Sequence, residues 1–267
     1  MAHRNKYKKL VVILALVVVI EAIAIFALLF SRPKKKIMKV KRRPAPAAQI
    51  GKIAIVIDDW GYNQNNLALL KQIKQRVTLA ILPNLPYSVK ISQEARALGQ
   101  EVILHFPMEP QEKSHLEQNT IMTGMDEPTI RQILALDLDS VNSARGISNH
   151  MGSAAVSDMR TMTVIFAELK RRGLYFLDSY VTSGNVAAGL AGTMEVGYAR
   201  RNVFLDNKED AEYIKNQVNQ LKKKARLYGK AIGIGHDRRL TLQVLKELMP
   251  QMEKEGYRFV FVSELIK

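Results

Sequence analysis

The sequence predicts an α/β fold of the barrel type. Short runs rich in Val, Ile and Leu alternate with helical patterns along most of the chain. These runs do not alternate apolar with polar residues, which suits strands buried on both faces, as in parallel sheets. Polar, chemistry-bearing residues follow at least six of the runs. That spread fits a barrel mouth, where strand C-termini converge, better than the crevice of a doubly wound sheet.

The chain opens on a basic tail, residues 1–9, with Arg4, Lys6, Lys8 and Lys9. Residues 10–30 are apolar except for Glu21, and about 20 such residues span roughly 30 Å of hydrocarbon. The run exceeds the roughly 7–15 apolar residues of a cleavable signal. Its exit, Leu28-Leu29-Phe30-Ser31-Arg32, offers no small-x-small cleavage site. It reads as an uncleaved transmembrane signal anchor, with a cleaved signal peptide as the alternative. Glu21 marks a helix partner or proton path, or is tolerated in protonated form. Residues 31–50 form a basic Pro/Lys-rich linker in which Pro44 and Pro46 favour extended chain. Eight Lys/Arg follow the apolar run and four precede it, so the positive-inside rule places the folded part in the cytoplasm.

From residue 51 onwards strands are predicted at 52–57, 77–82, 101–106, 145–149, 174–178, 202–205, 230–235 and 257–262. Helices are predicted near 65–75, 88–99, 127–139, 158–172, 208–228 and 241–254. The Gly-rich stretch 183–198 stays unassigned, and no internal repeat is visible. The turn after the first strand reads Asp58-Asp59-Trp60-Gly61-Tyr62. It is no glycine-rich phosphate loop, so no nucleotide cofactor is expected.

Composition narrows the function. With 267 residues, 47% of them hydrophobic, the chain can form one barrel-sized core or two small domains. With no cysteine, disulfides and thiolate metal sites are excluded, and Asp, Glu and His remain as ligands. The net charge of +15 is concentrated at one end. Residues 1–43 hold 12 Lys/Arg and one acid, which leaves 28 basic against 24 acidic residues for the rest. The excess flanks the apolar run, where it suits lipid headgroups, and nucleic-acid binding is not expected.

The strand ends carry the chemistry of metal-dependent hydrolysis, because water attack on an amide or ester needs a metal or an activated base. Asp58-Asp59 ends the first run. Adjacent carboxylates repel, so one is expected on a metal and the other activating water, against the alternative of a capped turn. His105 ends the run EVIL, with Glu109 four residues on. Pro107 argues against a helix there, so the two meet through a loop, Glu109 as ligand or as an orienting group. Asn149-His150-Met151-Gly152-Ser153 places an imidazole among amide and hydroxyl donors, suited to metal ligation by His150 beside donors for a substrate oxyanion. His236 ends AIGIG, where it can protonate a leaving amine. Asp178-Ser179 and Asp206-Asn207 close two more runs; either Asp can orient a histidine, bind sugar hydroxyls or cap the next helix. His3 and His115 have no such context.

The motifs IAIVIDDWGY, TLAILPNLPYS, GQEVILHFPMEP, SNHMGS, LYFLDS, RNVFLDN and AIGIGH occur in this order over residues 51–267. In them the chain resembles the divergent polysaccharide deacetylases, an outlying branch of the NodB-like carbohydrate esterases. The resemblance implies a distorted (β/α) barrel, a divalent metal that is usually zinc, and extracytoplasmic action on N-acetylated glycans. It casts Asp58 as the base, Asp59 and His105 as metal ligands, His236 as the general acid and Asp178 as a supporting catalytic residue. Glu109 stands where the family has a second histidine, and SNHMGS stands roughly where it has an arginine-proline motif. His150 is therefore expected as the third ligand, with Asn149, Ser153 and Glu109 facing substrate. The whole reads as a deacetylase of cell-envelope polysaccharide, held by its N-terminal helix in the inner membrane with the domain outside the cytoplasm. This placement opposes the flanking charges. A catalytically silent glycan-binding module of the envelope is the alternative.

Overall fold

The computed structural model describes residues 2–30 and 50–266, so the expected linker lies outside the described residues except for Ile50. The chain divides into two units, Met1–Ala45 and Pro46–Lys267. In the first, Ala2–Phe30 is a single helix (α1) that includes the basic tail, and its Lys6–Phe30 stretch is long and apolar enough to cross a membrane.

The second unit alternates strands and helices. The strands are β1 (Gly51–Trp60), β2 (Thr78–Ile81), β3 (Glu101–Met108), β4 (Gly146–Met151), β5 (Tyr175–Asp178), β6 (Tyr198–Arg200), β7 (Val203–Phe204), β8 (Lys230–His236) and β9 (Tyr257–Phe259). The helices are α2 (Leu67–Leu70), α3 (Ser88–Ala97), α4 (Glu127–Ser140), α5 (Met159–Arg172), α6 (Ala187–Met194), α7 (Ala211–Tyr228) and α8 (Arg239–Lys254). All eight predicted strands are present. The expected helix at 65–75 shrinks to the four residues of α2, although Leu69, Leu70 and Ile73 are buried on one side of the segment. The unassigned stretch holds α6 and leads into β6. The last predicted strand stops at Phe259, and Val262–Leu265 forms a 3-10 turn.

Every strand pairing is parallel, in the order β6-β5-β4-β3-β2-β1-β8-β7, with β9 joined to the start of β1. Residues 198–204 close the curl. They pair first with β5 and then with β8. Between the two pairings the Arg201 amide donates to the Asp178 carbonyl (3.0 Å), and the Asn202 amide donates to the Ile232 carbonyl (2.9 Å). The result is the expected distorted barrel.

Two apolar layers follow from strand alternation. Ile53, Ile55, Ile57, Leu79, Ile81, Leu104, Phe106 and Phe176 face outward under the helices. Ala54, Val56, Ala80, Ile103, Leu177, Ile232 and Ile234 face inward, joined by Val260, Val262 and Leu265 from the C-terminal segment. The next inward positions on β1, β3 and β8 are Asp58, His105 and His236, and His150 occupies the inward position that follows Ser148 on β4, which places all four at the mouth.

Candidate metal centre and active site

Alternation alone would send Asp58 and Asp59 to opposite faces. Between Ile57 and Trp60, β1 carries an extra residue against β2, where Ile57 lies opposite Leu79 and Trp60 opposite Ile81. Asp59 takes this bulge at φ 64°, a left-handed conformation uncommon outside glycine. The bulge turns both carboxylates into the mouth. Met151 (φ 52°) and Gly152 (φ 94°) re-aim the chain in the same way after His150. A Cβ at Gly152 would lie 2.9 Å from that of Met108.

Asp59 sits at the centre of the site. Its Oδ1 lies 3.3 Å from His105 Nε2 and 3.2 Å from His150 Nδ1, and Oδ2 lies 3.8 Å from His236 Nε2. Ligand atoms of Asp59, His105 and His150 all fall within 4.8 Å of one another. The geometry fits a divalent ion. Tetrahedral bonds of about 2.0–2.1 Å put neighbouring ligand atoms roughly 3.3 Å apart, and an imidazole–imidazole–carboxylate donor set suits such ions. The buried Asp59 Oδ1 makes no ordinary hydrogen bond, as expected of an atom reserved for a cation. Nδ1 of His105 meets Ser148 Oγ at 2.8 Å, which orients the ring and leaves Nε2 for the mouth.

Asp58 is buried, with Oδ2 3.7 Å from His105 Nε2 and Oδ1 unpartnered. Burial raises its pKa, and the charge of His105 offsets this only in part. For Asp59 burial also acts upward, but the close approach and charge of His105 and His150 outweigh it and hold the carboxyl well below the usual carboxylate range. Burial depresses His105, but the carboxylates of Asp58 and Asp59 prevail and raise it.

His236 has a separate support. Its Nδ1 lies 2.9 Å from Asp206 Oδ1, and its backbone amide donates to Asp206 Oδ2 at 2.8 Å. The Thr241 hydroxyl donates to the same Oδ2 at 2.7 Å. Burial lowers the His236 pKa, but the Asp206 contact reverses the sign and raises it. Phe204 stands edge-on to the ring at 5.1 Å. Nε2 faces Asp59, so a proton there is offered to the mouth.

Four expected site residues do not join this cluster. Asp178 is fully buried, and its oxygens accept from the Tyr180 amide, Asn185 Nδ2 and the Tyr198 hydroxyl. It faces outward on β5 and fastens the loop that follows. Asn149, also outward-facing, donates to the Met151 carbonyl and accepts from the Ser179 amide, so its amide is committed to the backbone. Glu109 accepts from the Thr123 amide and hydroxyl, tying down the long loop before α4. Ser153 accepts from the Gln111 amide and lines a cavity of about 460 Å³ beside the mouth, with Met151, Lys113 and Thr182.

Of the two strand-end aspartates able to orient a histidine, Asp206 is the one that holds His236. One further residue has no place in the sequence reading. Arg201, inside the motif RNVFLDN, donates to the Ser179 and Tyr180 carbonyls. Burial lowers its pKa, and the charges of Asp58 and Asp178 oppose that effect. A guanidinium thus stands within electrostatic reach of Asp58 although the arginine-proline motif is absent. The only sequence signal was the Arg200-Arg201 pair, at a junction that becomes meaningful once 198–204 is seen to switch partners.

The profile of the divergent polysaccharide deacetylases matches residues 55–266. The chain belongs to this family. It is 38% identical over 201 residues to the uncharacterized protein YibQ of Escherichia coli (strain K12), covering 74% of this chain and 62% of that protein, so the chain spans less than two thirds of this relative. Its fold is similar to that of the uncharacterized protein ATU2773 from Agrobacterium tumefaciens C58, with TM-score 0.76, 23% identity, and coverage of 84% of this chain and 92% of that one. It is also similar to the Xyl-CE4 domain of a multidomain xylanase from the hindgut metagenome of Trinervitermes trinervoides, with TM-score 0.51, 18% identity, and coverage of 80% and 89%.

Proposed function

We propose that the protein is a membrane-anchored, metal-dependent hydrolase that removes N-acetyl groups from a cell-envelope polysaccharide on the extracytoplasmic side of the inner membrane. The observation that carries this reading is the convergence of Asp59, His105 and His150 beside a buried Asp58 and an Asp206-backed His236. A divalent ion, zinc in this proposal, held by Asp59 Oδ1, His105 Nε2 and His150 Nδ1 would supply Lewis acidity toward the acetyl carbonyl and the attacking water. Asp58 takes a proton from that water as the new C–O bond forms, and its raised pKa makes it a stronger base than an exposed aspartate. His236 Nε2 gives a proton to the nitrogen as the C–N bond breaks, releasing acetate and a free amine. Asp206 keeps the Nδ1 proton of His236 in place throughout. Arg201 favours the ionised form of Asp58 between turnovers.

The test is acetate release by the full chain from N-acetylated chitooligosaccharides and peptidoglycan fragments, with O-acetylated xylan as the second arm. Release of acetate with a matching gain of free amine, abolished by Asp58→Asn and by His236→Ala, is the expected result. Full activity in Asp58→Asn overturns the assignment. Release from the ester substrate alone moves the substrate class to O-acetyl groups.

A further inference from the structure

The opposite end of the barrel has a surface that the chemistry at the mouth does not explain. α7 carries no acidic residue between Tyr213 and its end, and its last two turns hold Lys222, Lys223, Lys224 and Arg226. Lys222 pairs with Glu255 at 2.5 Å. Among the described residues no acid pairs with Lys223, Lys224 or Arg226. Cations at a helix C-terminus offset the helix dipole, which accounts for some of them. The dipole does not account for Leu227 and Tyr228, which follow directly and are 73% and 67% exposed. Lys223 with Leu227, and Lys224 with Tyr228, are four residues apart, so cation and apolar side chain stand together on the helix surface. Beside them a cavity of about 390 Å³ is lined by Asn216, Asn219, Gln220, Lys223 and Arg226, amide and cationic donors suited to a phosphate group, together with Tyr257 and the ion-paired Lys222.

The start of β1 lies beside this surface. Gly51 packs so closely on Ala225 that an added Cβ would lie 2.5 Å from the Ala225 carbonyl oxygen. The Lys52 amide donates to the Gly229 carbonyl at 2.9 Å. The chain coming from the apolar N-terminal helix therefore reaches the domain one helical turn from Leu227 and Tyr228. Only residues 31–49 separate that helix from Ile50, a contour of at most about 65 Å.

We propose that the C-terminal end of α7 docks on the anionic headgroups of the bilayer that anchors the chain, with Lys223, Lys224 and Arg226 on the phosphates and Leu227 and Tyr228 in the interface. Mixed cationic and aromatic-aliphatic surfaces bind membranes in this way. The proposal rests on the anchored reading of the apolar helix. Because the strand C-termini lie at the other end of the barrel, docking turns the mouth away from the bilayer, toward a polymer rather than a lipid-linked sugar.

The chain has no cysteine, so single-cysteine labelling is clean. The full chain carrying an environment-sensitive fluorophore at Leu227→Cys, or at Glu112→Cys on the mouth loop, is reconstituted with headgroup-spin-labelled lipid. One set of vesicles is phosphatidylcholine alone, and the other adds phosphatidylglycerol. Flotation with the vesicles is scored separately. The expected result is quenching at Leu227 but not at Glu112, dependent on the anionic lipid. It should be lost in Lys223→Glu/Lys224→Glu/Arg226→Glu and lost with unaltered side chains in 1 M salt, where the Debye length is about 3 Å. A chain that floats with the vesicles but shows no quenching at Leu227, equal quenching at both sites, or no lipid dependence overturns the docking and leaves the anchor intact. A chain that does not float removes the anchor reading and the docking with it.

Discussion

The two ends of the barrel interior each hold buried carboxylates, and the two ends treat them differently. At the lower end Glu101 Oε1 accepts from the Thr78 hydroxyl (2.8 Å), the Tyr175 hydroxyl (3.0 Å) and the Ser263 amide (3.4 Å). Every donor is neutral and belongs to the fold. At the mouth Asp58 and Asp59 face three imidazoles, and each keeps an oxygen without an ordinary hydrogen bond. A buried acid that is fully hydrogen-bonded stabilises a structure, whereas one left open beside histidines is costly to fold and is retained for binding or catalysis. The same contrast separates Asp178, satisfied by three local donors, from Asp206, which spends its bonds on His236.

The largest expected effect is at the mouth. Asp58→Asn removes the proposed base while preserving shape, so the proposed deacetylation should fall about 10²–10⁴-fold. The melting temperature should hold steady or rise, since an unpartnered buried carboxylate is neutralised; a large loss of stability would place Asp58 with Glu101 as a structural acid. Glu101→Leu is the converse. It leaves three donors without an acceptor and should cost about 3 kcal/mol in urea unfolding, with kcat of the folded fraction unchanged. A fall in kcat at constant stability would erase the distinction between the two ends.

Asp206→Asn sharpens the comparison through pH. The carboxylate raises the His236 pKa above its ordinary value, and His236 must be protonated to act as an acid. Removing the charge should move the alkaline limb of kcat/KM to lower pH, with roughly tenfold lost above the limb for each unit moved. Asp178→Asn should leave that limb in place.

The smallest effect lies outside both ends. Asp137 on α4 is buried, accepts from Asn84 Nδ2 at 2.6 Å and keeps Oδ2 unpartnered. Burial pushes its pKa up to about 7. Because the folded value exceeds the unfolded one, the folded state binds the extra proton. Stability attributable to this group is therefore full below about pH 4 and is lost as pH rises towards 7. Asp137→Asn should add about 1–2 kcal/mol at pH 8 and nothing at pH 4, read from thermal melts at the two pH values.

Much of this was legible in the sequence for physical reasons. The strands were visible because both faces are buried and the apolar runs are unbroken. His105, His150 and His236 were visible because each ends such a run. The pairing of Asp58 with Asp59 at one mouth was also readable, but its cause was not. A bulge of one residue is a property of register against β2, and register is invisible in a single strand. The same limit explains why the strand ends alone did not separate Asp178 from Asp206. Both end short runs, and only the partner switch at Arg201-Asn202 sets Asp206 behind His236. Asn149 and Glu109 looked like substrate contacts because they neighbour the expected metal ligands, yet both are needed by the backbone of the loops that carry those neighbours.

The most direct test of the account is calorimetric titration of zinc into the metal-free full chain, beside His105→Ala/His150→Ala. One ion bound per wild-type chain, with the heat abolished in the double variant while its fold is retained by circular dichroism, is the predicted result. No binding by the wild type, or equal binding by the variant, would contradict the claim that the open carboxylate at the mouth is kept for a metal.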